Sequence, residues 1–136
     1  MNKFAWLSAS AMLALAMMGC ATTPSNLPMV DVSKMPDKAL TAAEIDSVVR
    51  GKQMVGDIIR ATGTKIPDVI YSFSADGTLK GVWFSWGGDV GKWHIDSSGE
   101  LCTVWVREMA SCGKPSVRGG KLLLQNPRTG GQFSQR

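Results

Sequence analysis

Histidine and tyrosine each occur once in the 136 residues, as His94 and Tyr71, and cysteine occurs three times. A single histidine without any C-x₂-C spacing leaves no zinc-binding set. No G-x-S-x-G elbow marks a nucleophilic serine, and "SADGT" is better explained as a turn than as a catalytic loop. "DSSGE" resembles half of a calcium loop without its downstream ligands. The glycine-rich "RTGGQ" precedes no helix, so it lacks the helix N-terminus on which a phosphate cradle depends. Strand–helix–strand alternation is also missing, which argues against a parallel nucleotide-binding sheet. Nor is there a large surplus of one charge: the net value is +4, or +3 once Lys3 is removed. Arg50, Lys52 and Arg60 are spread along the chain and read as solvated surface, not as a nucleic-acid footprint. The sequence predicts no catalytic residue, no metal, no cofactor and no nucleic-acid partner.

Long apolar runs are scarce as well. The one present, Phe4 to Met18, is broken by Ser8 and Ser10 and is shorter than the ~20 residues that span a bilayer core. Lys3 precedes it and Gly19-Cys20 ends it, so residues 1–19 read as a secretory signal peptide. The sequence Ala16-Met17-Met18-Gly19-Cys20 resembles a bacterial lipobox, with Met17 in the place usual for Leu. That resemblance implies that Cys20 carries a diacylglycerol and becomes the mature N-terminus. Each buried CH₂ of an acyl chain contributes about 0.8 kcal/mol, so several chains hold a protein to a membrane. Ala21 after the cysteine, in place of Asp, implies the outer membrane, facing the periplasm. The alternative is an ordinary signal cut nearby, with Cys20 idle.

Removing nineteen of 136 residues leaves 117, enough for one small domain. Residues 20–40 contain Pro24, Pro28 and Pro36 and no sustained periodicity, and read as a tether between lipid and domain. The domain itself is expected over 41–136. Thr41 and Glu44 have capping-box spacing, Ile45, Val48 and Val49 share a face, and Gly51 suits a helix C-terminus. A helix of about two to three turns follows, too short to persist unless its apolar face docks. From residue 53 onward β-branched and aromatic residues alternate with glycine turns. Candidate strands are "QMVGDIIR", "DVIYSFS", "TLKGVWFSW", "GKWHID", "ELCTVWVRE", "KLLLQN" and "GQFSQ". The Gly63/Pro67 stretch, Ala75-Asp76-Gly77, Gly87-Gly88 and Ser97-Ser98-Gly99 are expected to connect them. The predicted class is mainly β (α+β): an antiparallel meander of about six to seven short strands, curled or partly closed, with the helix packed on it.

With Cys20 assigned to lipid, Cys102 and Cys112 remain, and an even pair in an exported chain reads as a disulfide. Two free buried thiols are the alternative. Trp83, Trp86, Trp93 and Trp105 all fall in predicted strands. They either fill a small core or present a flat surface to an apolar or sugar ligand. Trp83 and Trp86 are three apart and so point to opposite faces of a regular strand. His94 lies between Trp93 and Ile95 and faces away from both, most simply into solvent. The candidate ligand or partner face is therefore Trp83, Trp86, Trp93, His94 and Trp105.

The order "LTAAEIDSVVRGK", "YSFSADGTLKG", "GKWHIDSSGELCTVW" and a second cysteine resembles the exported proteobacterial family catalogued as domain of unknown function 995. The likeness covers about residues 40 to 133, with Gly91, Trp93, Gly99, Cys102, Trp105 and Cys112 at the signature positions. It implies a β-rich fold and an envelope location, and it brings no activity with it. The expected function is a non-enzymatic envelope lipoprotein that binds a small apolar ligand, a glycan or another envelope protein through its sheet. The runner-up is a periplasmic lysozyme inhibitor, similarly small, disulfide-bearing and β-rich. The Ser-Gly-x-x-Tyr plug of such inhibitors is absent, since Tyr71 follows "PDVI".

Overall fold

Period-two alternation from Lys52 onward resolves into one antiparallel sheet. The computed structural model describes residues 26–83, 87–107, 110–126 and 130–136. In chain order the elements are β1 (Lys38–Ala39), α1 (Ala42–Val49), β2 (Lys52–Ile59), β3 (Lys65–Phe73), β4 (Thr78–Trp83) and β5 (Gly87–Ile95). They continue as β6 (Leu101–Trp105), β7 (Ser111–Gly113), β8 (Ser116–Arg118), β9 (Lys121–Gln125) and β10 (Gln132–Gln135). The ten strands form one sheet in the order β1-β8-β9-β10-β2-β3-β4-β5-β6-β7. The sheet is curled into a half-barrel, with ten strands where the sequence suggests six to seven. Its open sides lie near each other, because Lys114 and Pro115 alone connect β7 to β8 and span no more than about 11 Å. Among the described residues no helix is long and apolar enough to cross a membrane.

The helix forms as its sequence requires. Thr41 Oγ1 accepts from the Glu44 backbone N–H, and the Glu44 carboxylate accepts from the Thr41 N–H, which completes the capping box. Ile45, Val48 and Val49 are buried, and Gly51 takes φ +68° just past the end. The Gly51 N–H donates to Phe73 O at 2.7 Å, and Arg50 donates to Ala75 O at 2.6 Å. These bonds fix α1 over the end of the half-barrel that carries the β3–β4 and β5–β6 turns. Strand direction then places the ends of β2, β4 and β6, together with the β9–β10 connection, at the opposite end. Among the described residues that end carries no helix.

Three expectations need correction. The tether does not hang free over its described part, residues 26–40. Val30, Val32 and Leu40 are buried in the core. Val30 N–H donates to Gln53 O at 2.8 Å, and the buried Gln135 amide donates to Val30 O at 2.9 Å. Sparse apolar residues among prolines carry no periodicity, yet each fills a place on the core. Second, Pro67 lies inside β3, where the pairing skips from Gly56–Val69 to Ile58–Ile66. A bulge is where proline costs a sheet least, because the ladder is already interrupted. Third, Gly87 and Gly88 belong to β5, paired with Trp83 and Val82, and are not a free-standing turn. A Cβ on Gly88 would stand 2.8 Å from Gly81 O, so a close strand approach is what the glycine permits there.

Candidate functional site

Inward-facing positions of β3, β4, β5 and β6 supply a large share of the core, including Val69, Phe73, Leu79, Trp83, Trp93, Leu101 and Trp105. Pairing by register puts Trp83, Trp93 and Trp105 on the concave side, and their roles then differ with their position along the barrel. Trp93 sits toward the helix end, 4% exposed, with its Nε1 donating to Ser74 O at 2.9 Å. The Arg50 guanidinium covers its ring at 4.9 Å, and Phe73 meets it edge-on at 5.8 Å. Trp93 is core and has no free face to offer a ligand.

Trp83 and Trp105 lie toward the open end, with ring centroids 5.5 Å apart. Tyr71 joins them, 6.2 Å from Trp83 and 5.4 Å from Trp105, and stacks on Phe133 at 4.9 Å. This aromatic cluster forms one wall of a cavity of about 750 Å³ that opens at the end opposite α1. Ile58, Ile66, Leu101 and Leu124 add aliphatic lining. The volume falls within the range of small-molecule sites, roughly 300–1,000 Å³. Two inward glycines make the room. A Cβ on Gly81 would stand 2.8 Å from both the Trp83 and Trp105 rings, and one on Gly56 would overlap Phe133 and the backbone of β10. Larger residues there would push the aromatic rings into the space the cavity occupies.

Polar groups gather at the mouth. Arg60, Asp89, Arg107 and Asn126 border it. The carboxylate of Asp89 accepts from the Val90 N–H at 2.8 Å and the Arg107 N–H at 2.9 Å, so both oxygens are engaged by backbone. Arg60 is exposed, as expected of solvated surface, and it also borders this cavity. Sequence reasoning also passed over Tyr71, Phe133 and Arg107. Tyr71 was open to detection, since it shares parity with Phe73 on β3.

The other expected site residues divide. His94 is exposed on the convex side and has Cys102 opposite it on β6. Trp86 and Cys20 lie outside the described residues. Cys102 and Cys112 are directly opposed across β6 and β7 and joined, with S–S 2.08 Å. Asp96 Oδ2 is 3.9 Å from Cys102 Sγ, but both sulfurs are spent in the bond and offer no thiolate to a metal. Asp96 serves its own turn, accepting from the Glu100 and Ser98 N–H groups, and these bonds hold its carboxyl below the usual range. On the convex side near the open end, Val82, Val90, Val104 and Val106 are exposed beside Lys80 and Lys92. Compared with protein-family models, curated proteins and solved structures, the chain finds no match.

Proposed function

We propose that this protein is a non-enzymatic envelope lipoprotein whose half-barrel holds a small apolar ligand. The observation that carries the reading is the aromatic-walled cavity at the end opposite α1. Its walls are mainly aromatic and aliphatic with a few polar residues such as Thr103 and Ser111, and its volume suits a small molecule, a common composition for binding sites. Among the described lining residues no nucleophile is shown paired with a base, and the lone histidine is on the other face of the sheet, which favours binding over turnover. A neutral apolar fluorophore, N-phenyl-1-naphthylamine, tests the reading. Saturable fluorescence enhancement is expected with the wild type. Loss of that signal is expected in Thr103→Phe, which fills the cavity from β6. A wild type that gives no saturable signal would sink the reading.

The envelope assignment rests on the run ending in Gly19-Cys20 and on the family resemblance. Cys20→Ser should convert a membrane-bound, palmitate-labelled protein into a soluble or unprocessed one. Unlabelled wild type found wholly in the soluble periplasm would remove the anchor. A second reading, an envelope-protein partner, is favoured by the exposed valines of the convex face. Val90→Asp with Val106→Asp should then abolish a specific pulldown from detergent-solubilised envelope while leaving fluorophore binding intact.

A further inference from the structure

We infer that the cavity mouth is held facing away from the bilayer that carries Cys20, so that the ligand enters from the aqueous side and not from that bilayer. This rests on the proposed lipid anchor and on the cavity being a ligand site. Backbone hydrogen bonds fix where the N-terminal segment leaves the half-barrel. The Gln53 N–H donates to Pro28 O at 2.9 Å, the Val30 N–H donates to Gln53 O at 2.8 Å, and Met29 pairs with Gln53 in parallel. Parallel pairing makes residues 28–30 run in the direction of β2, from the α1 end toward the cavity. Traced backward from Met29, the chain therefore leaves at the α1 end. That exit is part of the folded body. Val30 and Val32 are buried, and the buried Gln135 side chain donates to Val30 O at 2.9 Å while accepting from the Leu122 N–H at 3.1 Å.

The lengths involved make the orientation matter. From Gln53 to Ile59, the last residue of β2, the strand advances about 20 Å toward the mouth. Pro28 stands eight residues after Cys20, a stretch that spans at most about 29 Å. With the α1 end toward the bilayer, that reach suffices without stretching. Placing the mouth on the bilayer would lift Pro28 by the length of β2. The connecting residues would then have to be drawn along the side of the domain to most of their full reach, at a cost in chain entropy. A short leash fixed at the closed end therefore keeps the open end in water.

Energy transfer from labelled protein to labelled lipid reads the orientation directly. The lipidated chain is placed in phosphatidylethanolamine–phosphatidylglycerol vesicles that carry a rhodamine lipid. One cysteine is added at a time, by Ser97→Cys in the β5–β6 turn at the α1 end or by Val106→Cys just past β6 at the open end, both exposed positions. Labelling without reductant leaves the Cys102–Cys112 bond closed. Transfer from Ser97→Cys should be at least about twofold stronger than from Val106→Cys, since the two ends lie about 20 Å apart along the strands. A Gly/Ser insert of about 20 residues after Ser25 adds about 25 Å of reach and should bring the two signals together. Equal or reversed transfer in the parent chain, or a difference that the insert leaves unchanged, overturns the inference. The underlying readings fail separately. Wild type that does not float with the vesicles removes the anchor, wild type without saturable N-phenyl-1-naphthylamine enhancement removes the ligand site, and either result removes this inference with it.

Discussion

Trp93, Trp83 and Trp105 share one face of the sheet and are almost equally buried, yet their surroundings set different consequences for losing each. Trp93 is packed on all sides by Phe73, Arg50 and the helix end. Trp93→Ala should destabilise the fold by about 3–5 kcal/mol, the range for a buried large aromatic. Trp83 borders open cavity on one side, so Trp83→Ala should cost clearly less in urea unfolding and weaken fluorophore binding more. Equal costs with unchanged binding would show that the Trp83 indole is simply core. Gly81 is the complementary case. Gly81→Ala forces its methyl against two indoles and should cost about 1–3 kcal/mol, the usual price of overpacking, with a smaller cavity as the visible result.

Among the elements, α1 depends on its cap more than its length of eight residues suggests. Thr41→Ala should cost about 0.5–2 kcal/mol, measured by thermal or urea unfolding. Glu44 gives the same element a pH signature. The Lys38 ammonium, together with the Thr41 N–H and hydroxyl, lowers its carboxyl from 4.5 to about 2. The folded state therefore binds this proton less tightly than the unfolded chain. Stabilisation is complete above pH 4.5 and is lost as the pH falls toward about 2. The difference in melting temperature between wild type and Glu44→Gln should be present at neutral pH and shrink across that interval. At the far edge of the sheet, β7 is three residues long and is held to β6 by the disulfide. A closed loop of this size should contribute about 2–3 kcal/mol, so reductant should lower the unfolding midpoint accordingly.

For the whole molecule, the helix stoppers one end of the half-barrel and the cavity opens at the other. The N-terminal segment adds Val30 and Val32 to the core before the chain enters β1. Truncation before Leu40 should therefore destabilise the domain, not merely release it. Circular dichroism melts of chains starting at residues 26 and 41 test this. Equal melting would return residues 26–40 to the role of a spacer.

Local chemistry by itself determined the helix, its cap, the antiparallel class and most strand positions. Each depends on neighbours a few residues apart, as with Thr41 and Glu44 or the alternation through Val69, Tyr71 and Phe73. The paired cysteines were legible for a similar reason, because assigning Cys20 to the expected export signal leaves two cysteines that can pair with each other. Strands of two or three residues escaped notice, since β1, β7 and β8 are too short for period two to register. Gly87 and Gly88 misled because glycine marks a turn and a close strand approach alike. Only the tertiary structure decided which tryptophans are core and which line a cavity. Parity puts Trp83, Trp93 and Trp105 on one face, but curvature and the seat of the helix fix which end is filled. Arg60 and Arg107 stand 47 positions apart in the sequence, and only the curl of the sheet brings them to one cavity.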